Sequence, residues 1–229
     1  MQGVVAPTLD VSLTSQRSLN KRFLCEVFVL LCYNWLKKEV EKMKYYKKLI
    51  GERVYLSPVT MDDADTFTRW MNDFDVTDYT GRSSNLLTLP AEELWLKSMV
   101  EGRNYLFSII KNEDDKLIGN IELQDVNHTD RKATLGILIG EADERNKGYG
   151  TEAINLILDF AFNYLNLNSV NLILLAVNDR AKRCYEKVGF KEFGRQREAK
   201  YINGKYYDAI HMDILAKEFK QSFIKNKNV

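Results

Sequence analysis

Three apolar runs, Tyr105–Ile110, Leu117–Val126 and Ala133–Gly140, are separated only by the turn-forming segments KNEDDK and NHTDRK. Connections this short join antiparallel neighbours, since a parallel return needs a crossover of roughly a dozen residues or more. The pattern then changes. A charged loop, DERNKGYG, runs into the helically spaced TEAINLILDFAF and on to SVNLILLAV, Ser169–Val177. An unbroken apolar run reached through a helix predicts a strand parallel to the preceding one and buried on both faces.

The flanks fit around this frame. Upstream, ERVYLSPV (Glu52–Val59) predicts a strand with Pro58 near an edge, and TMDDADTFTRWMNDF predicts a helix with Thr60 as N-cap and Ala64, Phe67, Trp70 and Met71 on its buried face. Pro90 starts a second helix, AEELWLKSMV, which Gly102 and Asn104 end. Downstream, DRAKRCYEKV reads as a short helix ending at Gly189, followed by the strands FKEFGRQREA and YYDAIHMDIL. The expected class is α/β (α+β): a mixed, mostly antiparallel sheet of about seven strands with one central parallel crossover, flanked by helices.

Composition narrows the function. Thirty-three Lys and Arg against 32 Asp and Glu leave a net charge of +1, which removes the general electrostatic case for nucleic-acid or acidic-membrane binding. Any anion site is therefore local. Cys25, Cys32 and Cys184, with His128 and His211, do not make a common zinc set, so the expectation is a metal-free, cytoplasmic protein.

The first residues differ in texture. The run from Phe23 to Leu36 is interrupted by Glu26 and is shorter than the roughly 18 apolar residues of a membrane span. No small-residue cleavage site follows it. Two readings stay open: an amphipathic helix, or an untranslated leader, because the codons of Lys38-Glu39-Val40 can spell a ribosome-binding sequence just before Met43. The expected organisation is an extension over residues 1–47 with a native start at Met43 under the second reading, a domain over 48–219, and a tail over 220–229.

Glycines at the mouth of a helix suggest a phosphate. A Walker-type loop needs lysine after the second glycine, whereas Lys147 precedes both. The bare dinucleotide pattern is met by Gly148-Tyr149-Gly150-Thr151-Glu152-Ala153, but the preceding strand ends too early and the position about 20 on is Asn168 rather than an acid. The glycines could also merely tighten the loop. A third reading uses successive backbone N–H groups at a helix N-terminus as a pyrophosphate cradle. Gly148 and Gly150 permit close approach, Arg145 and Lys147 add charge, and Asn146 tolerates a left-handed turn. Behind the loop, Asn155, Asp159 and Asn163 form a polar stripe beside buried Ile154, Ile157, Phe160, Ala161 and Leu165.

The motif R-x-x-G-x-G from Arg145 to Gly150, together with NDRAKRCYEKVGF from Asn178 to Phe190, resembles the GNAT superfamily of N-acetyltransferases. GERVYLSPVTMDDAD and YINGKYYDAI are most similar to its ribosomal-protein-alanine and spermidine acetyltransferase branch. The resemblance implies acetyl transfer from acetyl-CoA, as co-substrate, to a primary amine by direct attack in a ternary complex. It further implies that the strands on either side of the loop helix splay apart to admit the pantetheine arm. Ile137, Leu138 and Ile139 then offer strand-like backbone contacts, Arg145, Asn146, Lys147, Gly148, Tyr149, Gly150 and Thr151 surround the pyrophosphate, and Asn178 touches the cofactor arm.

Two protons must move. An alkyl amine, judged by the lysine value of about 10.4, must lose one before attack. Tyr185 stands where the family's tyrosine acid stands and would protonate the departing thiolate, while a backbone N–H would hold the oxyanion. Thr134 occupies the place where many relatives carry a glutamate base. Glu122 is the candidate base through water, with Asp125 and His128 as weaker ones. An acyl-cysteine route through Cys184 is disfavoured against packing.

Asp62, Asp63, Asp65, Asp73, Asp75 and Asp78 lie in the region that borders the acceptor in the family, which would suit a polyamine, a basic N-terminus or another cationic amine. The ordinary alternative is that they are helix N-terminal acids and solvated loop residues. The missing glutamate motivates a rival reading, a non-catalytic acyl-CoA-binding sensor or partner module. A homodimer stays open.

Overall fold

The computed structural model describes residues 44–102 and 104–220. Both readings of residues 1–42 lie outside them. The compact unit opens at Tyr45, upstream of the expected Lys48. Its hydroxyl donates to Asp63 Oδ1 at 2.7 Å, and the N–H of Tyr46 donates to Ser57 Oγ at 3.0 Å.

A two-residue strand β1 (Leu49–Ile50) pairs with β2 (Val54–Pro58), which starts the sheet. After a short 3₁₀ turn come α1 (Ala64–Met71), α2 (Phe74–Thr77) and α3 (Leu89–Glu101). Thr60 is extended as expected, but its hydroxyl makes no hydrogen bond. The buried Asp63 carboxylate instead accepts from Thr60 N–H at 3.2 Å and from Ser108 Oγ at 2.7 Å. Pro90 falls in the first turn of α3 and Gly102 caps it.

The meander follows as β3 (Tyr105–Lys111), β4 (Leu117–Asn127) and β5 (Lys132–Ile139), all antiparallel. The loop leads into α4 (Tyr149–Asp159), which continues through a π-helical turn, Phe160–Tyr164. Then come β6 (Ser169–Leu175), α5 (Asp179–Val188), β7 (Lys191–Ile202) and β8 (Lys205–Leu215). The last two are joined by Asn203-Gly204, with φ of 47° and 79°, the left-handed pair that a tight hairpin needs.

Among the described residues the sheet order is β1-β2-β3-β4-β5-β6-β8-β7, eight strands rather than about seven, the addition being β1. Among the described residues only β5 and β6 are parallel, and they pair from Lys132↔Ser169 to Thr134↔Asn171 and no further. Beyond Thr134 the two strands diverge, which is the expected splay.

Strand alternation divides the core between the two faces. Phe107, Ile121, Leu135, Leu172 and Leu174 pack with Ile154, Ile157 and Ala161 of the α4 segment. Leu106 and Leu138 pack with Phe67 and Trp70 of α1 and Leu96 of α3.

Two burial expectations are corrected. β6 is not buried on both faces along its length: Val170 and Leu172 are fully covered, while on the opposite face Ile173 is 58% exposed and Leu175 is buried. In the polar stripe of α4, Asp159 is buried and accepts from Asn163 Nδ2 at 2.6 Å, so it is an internal group.

Candidate active site

The divergence of β5 and β6 opens a cavity of about 380 Å³. Ile137, Leu138 and Ile139 form one wall. They pair with β4 along one edge, which leaves the other edge of β5 free beyond Thr134 for an extended ligand.

The loop forms the second wall. Asn146 and Gly148 adopt left-handed φ values of 63° and 86°, with Gly148 as the N-cap of α4. Alternating hands of this kind turn successive N–H groups inward, beside the positive end of α4. Tyr149, Gly150 and Thr151 continue the lining. A Cβ on Gly150 would find Ile139 at 3.7 Å and Ile137 at 3.9 Å, so glycine there keeps the cavity floor clear rather than relieving a clash.

The loop's two cations are engaged by the protein. Arg145 lines the cavity, but its Nε donates to Ile139 O at 3.2 Å and its Nη2 to Gly140 O at 2.9 Å. Its Nη1 reaches Asp75 O at 3.4 Å. Lys147, expected at the pyrophosphate, does not line the cavity; its ammonium donates to Glu144 Oε2 at 3.0 Å. Glu144 is buried and also meets Lys116 at 3.3 Å and Lys111 at 3.4 Å. The hydrogen bond from Lys147, aided by Lys116, holds its carboxyl down to about 2 despite burial.

α5 supplies the third wall. Asn178 caps it, accepting from Ala181 N–H at 3.1 Å while its Nδ2 donates to Tyr79 O at 3.4 Å, so both ends of this amide are occupied. Tyr185 is buried at the cavity and meets Phe190 edge-on with centroids 5.8 Å apart. Burial, with the neighbouring Cys184, pushes its phenol well above the ordinary tyrosine value. Cys184 Sγ lies 3.2 Å from Thr151 Oγ1, and burial raises its thiol, which disfavours an acyl-cysteine route.

Glu122 is not part of this lining. It sits on β4 opposite Gly136, where a Cβ would come within 2.9 Å of its Oε1. Pairing with Leu106 places it on the sheet face covered by α1 and α3. Burial raises its carboxyl, partly countered by a hydrogen bond from the Gln124 amide and by the charge of Arg82. Asp125 and His128 are exposed, Asp125 with a left-handed φ of 50°. At the vacant glutamate place, Thr134 Oγ1 is hydrogen-bonded to Asn171 Oδ1 at 3.0 Å.

Of the six acids in the helix-loop region, only Asp75 lines the cavity. Asp63 is internal, and Asp73 caps α2 by accepting from Asp75 N–H at 2.9 Å. Sequence reasoning missed Arg180, Arg183 and Lys187, which line the cavity from α5. Their spacing within the second motif was the available signal. It also missed Arg53, whose partners are Glu152 of α4 and the carbonyl of Lys147 in the loop.

A Gly-containing loop, a free strand edge and a buried tyrosine surround one cleft. The acetyltransferase (GNAT) domain model matches residues 53–191, and the chain belongs to this family. Among its relatives, spermidine N(1)-acetyltransferase of Vibrio cholerae is 34% identical over 128 residues, 56% of this chain and 73% of the relative. A putative ribosomal N-acetyltransferase of Bacillus subtilis is 32% identical over 107 residues, 47% of this chain and 58% of the relative. The crystal structure of the Vibrio cholerae spermidine N-acetyltransferase with CoA and spermine superposes with a TM-score of 0.66 at 28% identity, covering 73% of this chain and 98% of that one. Among the described residues no helix is long and apolar enough to cross a membrane.

Proposed function

We propose that this protein transfers acetyl from acetyl-CoA to a primary amine, and that the acceptor is a cationic amine of the polyamine type. The carrying observation is the single cleft that joins the N–H cradle at Gly148 to the free edge of β5 and to Tyr185. An anionic carrier at the loop and an acyl group beside Tyr185 satisfy both ends of that cleft.

In the reaction the amine nitrogen attacks the thioester carbonyl, a C–N bond forms and the C–S bond breaks. An N–H on the free edge of β5 stabilises the oxyanion. Tyr185, kept neutral by burial, gives its proton to the leaving sulfur and recovers one from the second proton that the nitrogen sheds as the amide forms. Glu122, one strand away with a carboxyl raised by burial, takes the ammonium proton through water. Asp75 at the cavity and Glu122 on the neighbouring strand favour a cationic acceptor, and the likeness to an enzyme crystallised with spermine supports the polyamine class.

Thiol release from acetyl-CoA across polyamines, amino-acid derivatives and peptide N-termini tests the reading. Turnover greatest with polyamines, and lost in Tyr185→Phe, is expected. CoA binding without turnover on any amine would leave the non-catalytic module instead.

A further inference from the structure

The parallel ladder between β5 and β6 consists of Lys132↔Ser169, Ala133↔Val170 and Thr134↔Asn171, and the side chains of the last pair are hydrogen-bonded to each other. The Thr134 hydroxyl donates to Asn171 Oδ1 at 3.0 Å, with both residues half-buried. Past this pair each strand keeps only its other neighbour. β5 stays on β4 as far as Ile139↔Gly119, and β6 stays on β8 as far as Leu175↔Ala209. A ladder this short is easily lengthened or shortened by a pair, so a cross-strand bond at its open end bears on where the strands part.

The fork sets the depth of the cleft. β5 runs from the fork toward the glycine loop, so a carrier with its pyrophosphate at the loop and its arm along the free edge of β5 has its acyl end nearest the fork. Gly140 N–H donates to Ile118 O at 3.0 Å. Strand alternation from that bond turns the N–H groups of Ile139 and Ile137 to the open edge. Ile137 lines the cavity, whereas Thr134, Leu135 and Gly136 do not, so the cavity ends between Ile137 and the fork. Leu135, Leu172 and Leu174, all buried, pack with Tyr185 on one side of that interval. Thr134 and Asn171 belong to the opposite face. A longer acyl chain needs this closed end to open.

We propose that the Thr134–Asn171 hydrogen bond is an acyl-length stop: by fixing where β5 and β6 part, it selects a two-carbon acyl group over longer ones. The inference rests on the acyl-CoA reading. Neither side chain lines the cavity, so both are positioning residues that act through their strands.

Steady-state rates of the full chain with acetyl-, propionyl- and butyryl-CoA, at saturating spermine, test it. The wild type is expected to favour acetyl-CoA over propionyl-CoA by about tenfold or more in kcat/KM, the scale for one methylene in a closed apolar pocket. Thr134→Val, which keeps the shape and removes the donor, should lower that preference by about two- to tenfold, the scale of one hydrogen bond. Asn171→Leu should do the same, and the double variant should go no further than either alone, since all three lack the same bond. Thr134→Ser restores the hydroxyl and the preference. Calorimetric CoA binding reports that each variant is folded, and Thr134→Ala, which cannot overpack, replaces Thr134→Val if that variant does not bind. No acyl preference in the wild type, an unchanged preference in the variants, additive losses in the double variant, or equal losses for all three donors would overturn the stop and leave the acyl-CoA reading standing. No turnover of any acyl donor by the wild type would overturn the polyamine acetyl-transfer reading as well.

Discussion

Arg53 and Glu152, 99 residues apart in the chain, are joined by a hydrogen-bonded ion pair of 2.9 Å. Arg53 Nη1 also donates to the Lys147 carbonyl at 2.8 Å, and its guanidinium lies 5.4 Å from the centre of the Tyr149 ring. Glu152 Oε1 accepts in turn from the N–H of Arg53 at 2.8 Å. The start of β2 thereby holds both the left-handed turn at Gly148 and the first turns of α4. An ion pair this exposed is worth about 0–1 kcal/mol, so its consequence lies in geometry rather than stability.

Arg53→Ala is therefore expected to raise KM for acetyl-CoA by roughly three- to tenfold with kcat nearly unchanged, since a loosened cradle weakens ground-state and transition-state binding alike. Steady-state kinetics at saturating amine checks it. A fall in kcat with KM unchanged would refute the positioning role.

Tyr185→Phe removes a hydroxyl that burial keeps protonated through neutral pH. The expected outcome is a loss of roughly 10²-fold or more in kcat, the usual scale of general-acid catalysis. Stability should change by less than about 1.5 kcal/mol, because no hydrogen bond from the described residues reaches that hydroxyl. Denaturant melts alongside the kinetics separate the two effects.

Glu122 carries a carboxyl raised by burial, and a base must be ionised to act. The acid limb of kcat/KM should accordingly lie above the ordinary glutamate value of about 4.3, with activity rising as pH rises through it. Glu122→Gln should lower activity and abolish that limb. The stability effect has the opposite sign: a folded pKa above the unfolded one means that stability is lost as pH rises between them, and the amide removes that loss. A limb that persists unchanged in Glu122→Gln would assign the base elsewhere.

Glu144 shows the reverse case. Its folded pKa of about 2 lies below the unfolded one, so its stabilising contribution is present above roughly pH 4.3 and lost as pH falls toward 2. Glu144→Gln should lower Tm at pH 7 by a few degrees, at about 2–4 °C per kcal/mol for a domain of this size. The difference from wild type should shrink in acid, which a pH series of thermal melts would register.

Features that depend on a few neighbouring residues were legible beforehand. Asn146, Gly148 and Gly189 occupy left-handed positions at the loop and at the end of α5, where backbone geometry favours Asn or Gly. The antiparallel meander followed from short turns, and the parallel crossover from the helix between β5 and β6. Burial was less legible, because it depends on what covers a strand. The apolar β6 leaves Ile173 in the open, while a Cβ on Gly140 would fall 2.0 Å from Trp70, a contact between elements far apart in sequence.

The sequence by itself determined the order of the elements, the backbone of the phosphate loop and the family to which both motifs point. Tertiary structure alone decided which charges are available. Lys147 is held by Glu144 and Arg145 by the end of β5, while Arg183 and Lys187 line the cavity and make no ion pair among the described residues. The physical reason is range. Backbone preferences act within a turn or two of chain, whereas an ion pair is set by distances that only the folded sheet brings about, as between Arg53 and Glu152.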